Sequence, residues 1–207
     1  MLWADRIPMS VIASEALLAG YTKAAFPPDA DAASRFHDGL CARLIADATT
    51  LEGRIDTLAL DSSGAYAAGL RLVQLQVDKM LEAGVGHDES RYAGYTLADM
   101  TANVAAVKAT HTVFGPWLAT KAGGAEVDGE VQQGIARLEK EYAAFGSDAL
   151  PYVPTDWNAA NLTQSALATP FGHLYIVVAN EANGALEGSL AHAMNEAVGL
   201  LGIAYTN

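Results

Sequence analysis

The chain has 207 residues, of which 51% are hydrophobic, and a formal net charge of -12 from 24 acidic and 12 basic side chains. A chain of this length and apolar content buries about 70% of the surface its unfolded form exposes, which excludes an intrinsically disordered protein. Its negative charge opposes binding to nucleic acid or to an anionic membrane surface and eases the approach of a cation.

Apolar spacing and turn residues predict helices throughout. The first runs over Met9 to Ala25 and stops at Pro27-Pro28, because proline cannot continue a helix and disfavours it in the preceding residue. A second follows, with Asp29 and Asp31 near its start and Phe36, Leu40, Leu44, Leu51, Ile55 and Leu58 as its buried face. Cys41, the only cysteine, falls within that helical pattern and is expected as a buried small hydrophobe without a disulfide partner. Asp61-Ser62-Ser63-Gly64 reads as a turn with an N-cap. The third helix covers Ala65 to Ala83 and ends at Gly84-Val85-Gly86.

Next comes a polar turn, Glu89 to Tyr95, and a fourth helix over Leu97 to Ala122 that Gly115-Pro116 should kink or end early. Leu97, Met100, Val104, Val107, His111, Phe114 and Leu118 recur at intervals of three and four, so they share one stripe that must pack on other helices. Thr96, Asp99 and Asn103 fall at the edge of that stripe, half covered and half open, as groups lining a cleft in a bundle do. The plainer reading is that Thr96 caps the helix, Asp99 completes a variant capping box and Asn103 is surface.

A fifth helix carries Val131, Ile135, Leu138, Tyr142 and Phe145, and Pro151-Tyr152-Val153-Pro154 is a loop. Thr169-Pro170 fits an N-cap with proline in the first turn, with one helix expected before it and a long one after. Tyr175-Ile176-Val177-Val178 has strand propensity, but its helical surroundings are the stronger signal. The fold class is therefore all-α, an up-and-down helical bundle, taken as one domain over residues 1–207.

Three stretches resemble the imelysin family of helical cell-envelope proteins. The segment ESRYAGYTLADMTANV, Glu89 to Val104, is similar to the family's ESxYSGxSLxDxxxNL region. Ser10 to Leu18 resembles its GxHxxE region followed by a pair of leucines, and Leu201 to Asn207 its closing LGV-x-x-x-FN segment. The resemblance covers the later part of the family domain, whose earlier helices have no counterpart before Met1. It implies an imelysin-like bundle in the periplasm or cell envelope, linked to uptake of iron or another divalent metal. Met1 to Ser10 lacks the pattern of a signal peptide, so the resemblance further implies that a secretory signal was removed or lost.

One position departs from the family. Its histidine falls at Ile12 and its glycine at Ser10, while Glu15 keeps the glutamate. Residues three apart share a helix face, so a His and a Glu so spaced can ligate one metal ion; Ile12 removes the nitrogen ligand. A zinc peptidase needs about three protein ligands and a base, so the expectation is a protein without peptidase activity. The candidate ligand-binding residues are Glu15, Arg91, Asp99 and Asn103, with Glu15 the candidate metal ligand.

Other polar groups carry bland readings beside functional ones. Glu15 and Glu181 sit on apolar faces and each needs a partner, either a structural hydrogen bond or a ligand. His111 lies on the buried stripe and reads as a satisfied core histidine. His192 and Glu196, one turn apart, read as a solvated pair, and His37, His87 and His173 stand alone. No glycine-rich phosphate loop, nucleophile elbow or cysteine-rich metal spacing occurs. The expected function is a non-enzymatic binding protein whose partner is a metal ion or small ligand. The alternatives are a zinc metallopeptidase, or an interaction module for a protein or polysaccharide. A homodimer and a cell-envelope protein partner are further expectations, the dimer because the first helix is apolar nearly all round.

Overall fold

The computed structural model describes residues 28–203 apart from 56, 60, 89 and 91–93. The helix expected over Met9 to Ala25, with Ile12 and Glu15, lies outside the described residues, and so does Arg91. The contacts of the chain divide it into two compact units, Met1–Ala59 and Leu60–Asn207. The described residues form seven helices and no strand.

In the first unit, α1 spans Ala30–Ile55. Asp29 Oδ1 accepts a hydrogen bond from the Ala32 N–H at 2.7 Å, and Arg43 Nε pairs with Asp47 Oδ2 at 2.8 Å one turn later. The apolar stripe expected to be buried is not: α1 carries no buried residue, and Phe36 is 64% exposed. Cys41 is exposed as well, with its Sγ 3.7 Å from His37 Nε2. Spacing aligns apolar side chains on one face but does not supply a cover for them. Capping, an ion pair at i, i+4 and good helix formers hold this helix locally.

The second unit is a bundle of α2 (Ser62–Gly84), α3 (Thr96–Leu118), α4 (Gly124–Ala144), the short α5 (Gln164–Leu167), α6 (Pro170–Glu181) and α7 (Leu190–Leu201). α2, α3 and α4 follow one another up and down, each packed on the next, while α7 packs on all three and α6 on α2 and α4. The α3 stripe of Leu97, Met100, Val104, Val107, His111, Phe114 and Leu118 is buried throughout. It meets Tyr66, Leu70, Val73 and Met80 of α2, Val131, Ile135 and Leu138 of α4, and Phe171, Leu174, Leu190 and Met194 of the C-terminal helices in one core.

Local chemistry explains the helix ends. Asp61 caps α2 by accepting from the Gly64 N–H at 2.6 Å, as the turn there suggested. Pro116 sits in the last turn of α3, which stops at Leu118 rather than Ala122. Gly123, at φ +78°, turns the chain into α4, a backbone conformation that L side chains rarely adopt. The long helix expected after Thr169 is two helices, α6 and α7. Asn183 and Gly184 follow the end of α6, Gly188 adopts φ +78°, and Ser189 starts α7 by accepting from the His192 N–H at 3.1 Å. The strand propensity at Tyr175 to Val178 yields to helix.

α3 begins without a side-chain cap, contrary to the reading of Thr96 as its cap. The Leu97 and Ala98 N–H groups donate instead to the backbone carbonyl of Asp148, at 3.0 and 3.1 Å, in the chain after α4. Thr96 is buried, and its hydroxyl donates to the Asp88 carboxylate, which also accepts from the Ser90 N–H at 2.9 Å. After the proline-rich loop, Trp157 packs edge-on against Phe171 and Tyr175, with ring centroids 4.8 and 5.1 Å away.

Candidate functional site

Between α3 and α4 lies a cleft of about 620 Å³ lined by both helices. Its floor is His111, only 3% exposed. The stripe that buries Val107 and Phe114 carries this imidazole inward, and two polar groups from other helices meet it. Tyr66 Oη of α2 lies 3.2 Å from Nδ1, and Asp128 Oδ1 of α4 lies 2.8 Å from Nε2. Tyr66 is 0% exposed, and burial, with the charge of Asp128 second, pushes its hydroxyl above the ordinary tyrosine range. With its proton held, the Tyr66 hydroxyl can donate to Nδ1, the arrangement in which Nε2 carries the ring proton and donates it to Asp128.

Asp128 is the open end of this relay. Its Oδ2 accepts from Gln132 Nε2 at 2.7 Å, one helical turn further along α4. Gly115 faces it across the cleft: a Cβ there would lie 3.4 Å from Asp128 Oδ1, so the missing side chain leaves room for the carboxylate. Also in the lining, Lys108 Nζ bridges both oxygens of Glu139, at 2.9 and 3.0 Å. That pair is substantially exposed and contributes little to stability.

Chemically, this is a rigid floor with a presented carboxylate. Both imidazole nitrogens are occupied and Tyr66 is buried, so the group of the relay that the cleft presents is the Asp128 carboxylate. His111 is thus the satisfied core histidine that the stripe implied. Its partners, 45 and 17 residues away, carry no mark in the sequence.

Asp99 is exposed in the first turn of α3 and Asn103 is half-buried a turn later, and neither lines the α3–α4 cleft. Glu15 and Arg91 lie outside the described residues. Glu181 takes the structural reading: it is buried, forms a two-pronged pair with Arg137 and accepts from the Leu190 N–H at 2.8 Å. His192 Nδ1 donates to the Gly184 carbonyl at 3.1 Å, and its Nε2 is 3.7 Å from Glu196, an open pair as expected. His173, expected to stand alone, lies 3.1 Å from Glu141 Oε1. Among the described residues, no three or more His, Cys, Asp or Glu side chains are grouped to hold a metal ion. No family model, curated protein or solved structure matches the chain.

Proposed function

We propose that this chain is a non-enzymatic binding protein of the periplasm or cell envelope, imelysin-like and linked to acquisition of iron or another divalent metal, with a ligand site in the α3–α4 cleft. The envelope and the metal link rest on the resemblance of Ser10 to Leu18, Glu89 to Val104 and Leu201 to Asn207 to that family. The observation that carries a binding role is the relay from Tyr66 through His111 to Asp128, which fixes a carboxylate at the edge of an open cleft with both imidazole nitrogens engaged. Preorganised polar groups in a concave site between helices are the usual make-up of a ligand pocket.

Calorimetric titration of the purified protein with ferrous, zinc and magnesium salts, run beside a protease assay on casein, tests the reading. Saturable binding of a metal, held outside the α3–α4 cleft, without proteolysis is the expected result. Zinc-dependent cleavage that a chelator stops replaces it with the peptidase reading, and failure of every metal to bind removes the link to metal acquisition.

A further inference from the structure

We propose that the α3–α4 cleft receives a small organic cation, a primary alkylammonium, with its head between the Asp128 carboxylate and the Thr112 backbone carbonyl. This rests on the cleft being the ligand site and goes beyond that reading by naming the chemistry of the ligand.

Asp128 and Thr112 line the same cleft, and each carries an acceptor with spare capacity. A carboxylate offers about four lone-pair sites. Asp128 receives one bond at each oxygen, from His111 and from Gln132, and so retains room for more donors. Pro116 has no N–H, so the Thr112 carbonyl lacks the donor that an unbroken helix would place four residues on. The Thr112 hydroxyl is turned back to the Lys108 carbonyl at 2.8 Å and leaves that acceptor alone.

The cationic side chain of the lining is already engaged, since Lys108 spends its charge on Glu139. The lining therefore keeps an excess of acceptors and negative charge, which a group with several N–H donors answers. Its neighbours decide between a metal and an organic cation. Of the two carboxylates in the lining, Glu139 is paired with Lys108 and Asp128 is tied to an imidazole, a thin donor set for a bare metal ion. Pro116, Ala119 and Ala136 line the space beside it and suit an alkyl chain.

The test uses the whole chain, with the His111 imidazole resonances as reporter and n-butylammonium chloride, n-butanol and magnesium chloride as probes. n-Butylammonium is expected to shift His111 saturably, with a Kd of about 1 mM or tighter. Butanol should not, and the binding should weaken as salt rises. Asp128→Asn should weaken it about tenfold or more. Pro116→Ala supplies the missing N–H to the Thr112 carbonyl and should also weaken it, and since it mends a helix the fold is not at risk in this variant.

The proposal is overturned if n-butylammonium leaves His111 unmoved at tens of millimolar, if butanol binds equally well, or if Pro116→Ala binds like the wild type. Should magnesium shift His111 while n-butylammonium does not, the ammonium ligand fails and the cleft stands as the ligand site. Should no probe move His111, both fall.

Discussion

Arg137 and Glu181 meet through both prongs of the guanidinium and both carboxylate oxygens, and each then holds the start of α7: Arg137 Nη2 donates to the Gly188 carbonyl at 2.7 Å, and Glu181 Oε2 accepts from the Leu190 N–H at 2.8 Å. The pair ties α4, α6 and the entry to α7 into one joint, and the hydrogen bond to Glu181 pushes the Arg137 pKa up. Removing the cation strands a buried carboxylate. Arg137→Met is therefore expected to cost about 3 kcal/mol in urea unfolding. Arg137→Lys should recover only part of that, because an ammonium cannot reproduce the fork.

Tyr66 and Tyr142 are buried among helices, and burial is the main cause that pushes both hydroxyls up, assisted by the charges of Asp128 and Glu181 respectively. Between the unfolded pKa of about 10 and the higher folded values, the unfolded chain gives up protons that the folded chain keeps. Stability is then fully present below pH 10 and falls by about 1.4 kcal/mol per pH unit for each tyrosine above it. Unfolding midpoints compared at neutral and strongly alkaline pH should show that loss, and Tyr66→Phe should remove one tyrosine's share of it. At neutral pH the same variant leaves His111 Nδ1 without its donor, at a cost of about 1 kcal/mol.

α4 and α7 approach closely at Gly134. A Cβ there would lie 2.7 Å from Leu190 Cβ and 3.0 Å from its Cα, so Gly134→Ala must push backbone apart. A loss of about 1 to 3 kcal/mol is expected. Gly129, in the same helix, has nothing within 4 Å of such an atom. Gly129→Ala should stabilise by about 0.5 to 1 kcal/mol from helix propensity alone. Thermal melts of the two variants moving in the same direction would contradict this picture of the interface.

Asp156 sits just before α5, and its carboxylate accepts from the hydroxyls of Ser165 at 2.8 Å and Thr163 at 3.0 Å. Those bonds, Ser165 foremost, hold its pKa below the usual carboxylate value. The stabilising contribution is present above an unfolded pKa of about 4 and is lost as pH falls through the lower folded value. A carboxyl NMR titration should place Asp156 under the ordinary range. Ser165→Ala should raise it, and an unchanged midpoint in that variant would refute the assignment.

The sequence displays what depends on near neighbours and hides what depends on distant ones. The α3 stripe from Leu97 to Leu118 could be read because burial recurs every three or four residues, and Asp61, Thr169 and the stop near Pro116 because capping and proline act within a turn. The division between α6 and α7 was also written locally, in Asn183-Gly184, Gly188 and Ser189. A strongly apolar context concealed it. By contrast, the exposure of Phe36 on α1 depends on whether another element covers it, which periodicity does not encode. The cleft escaped for the same reason. Asp128 looks like any surface acid of α4 until α2 and α3 bring Tyr66 and His111 to it. Of the residues singled out for a site, Asp99 and Asn103 proved to lie away from that cleft.

Because the first amides of α3 are satisfied by the Asp148 carbonyl instead of by a side chain of their own helix, its opening turn is held partly by the chain beyond α4. The turn is thus a latch closed from outside, coupling a helix start to a segment some fifty residues downstream. Slackening of the stretch from Gly146 to Leu150 would loosen Leu97 and Ala98 together, with the α3 core stripe still in place.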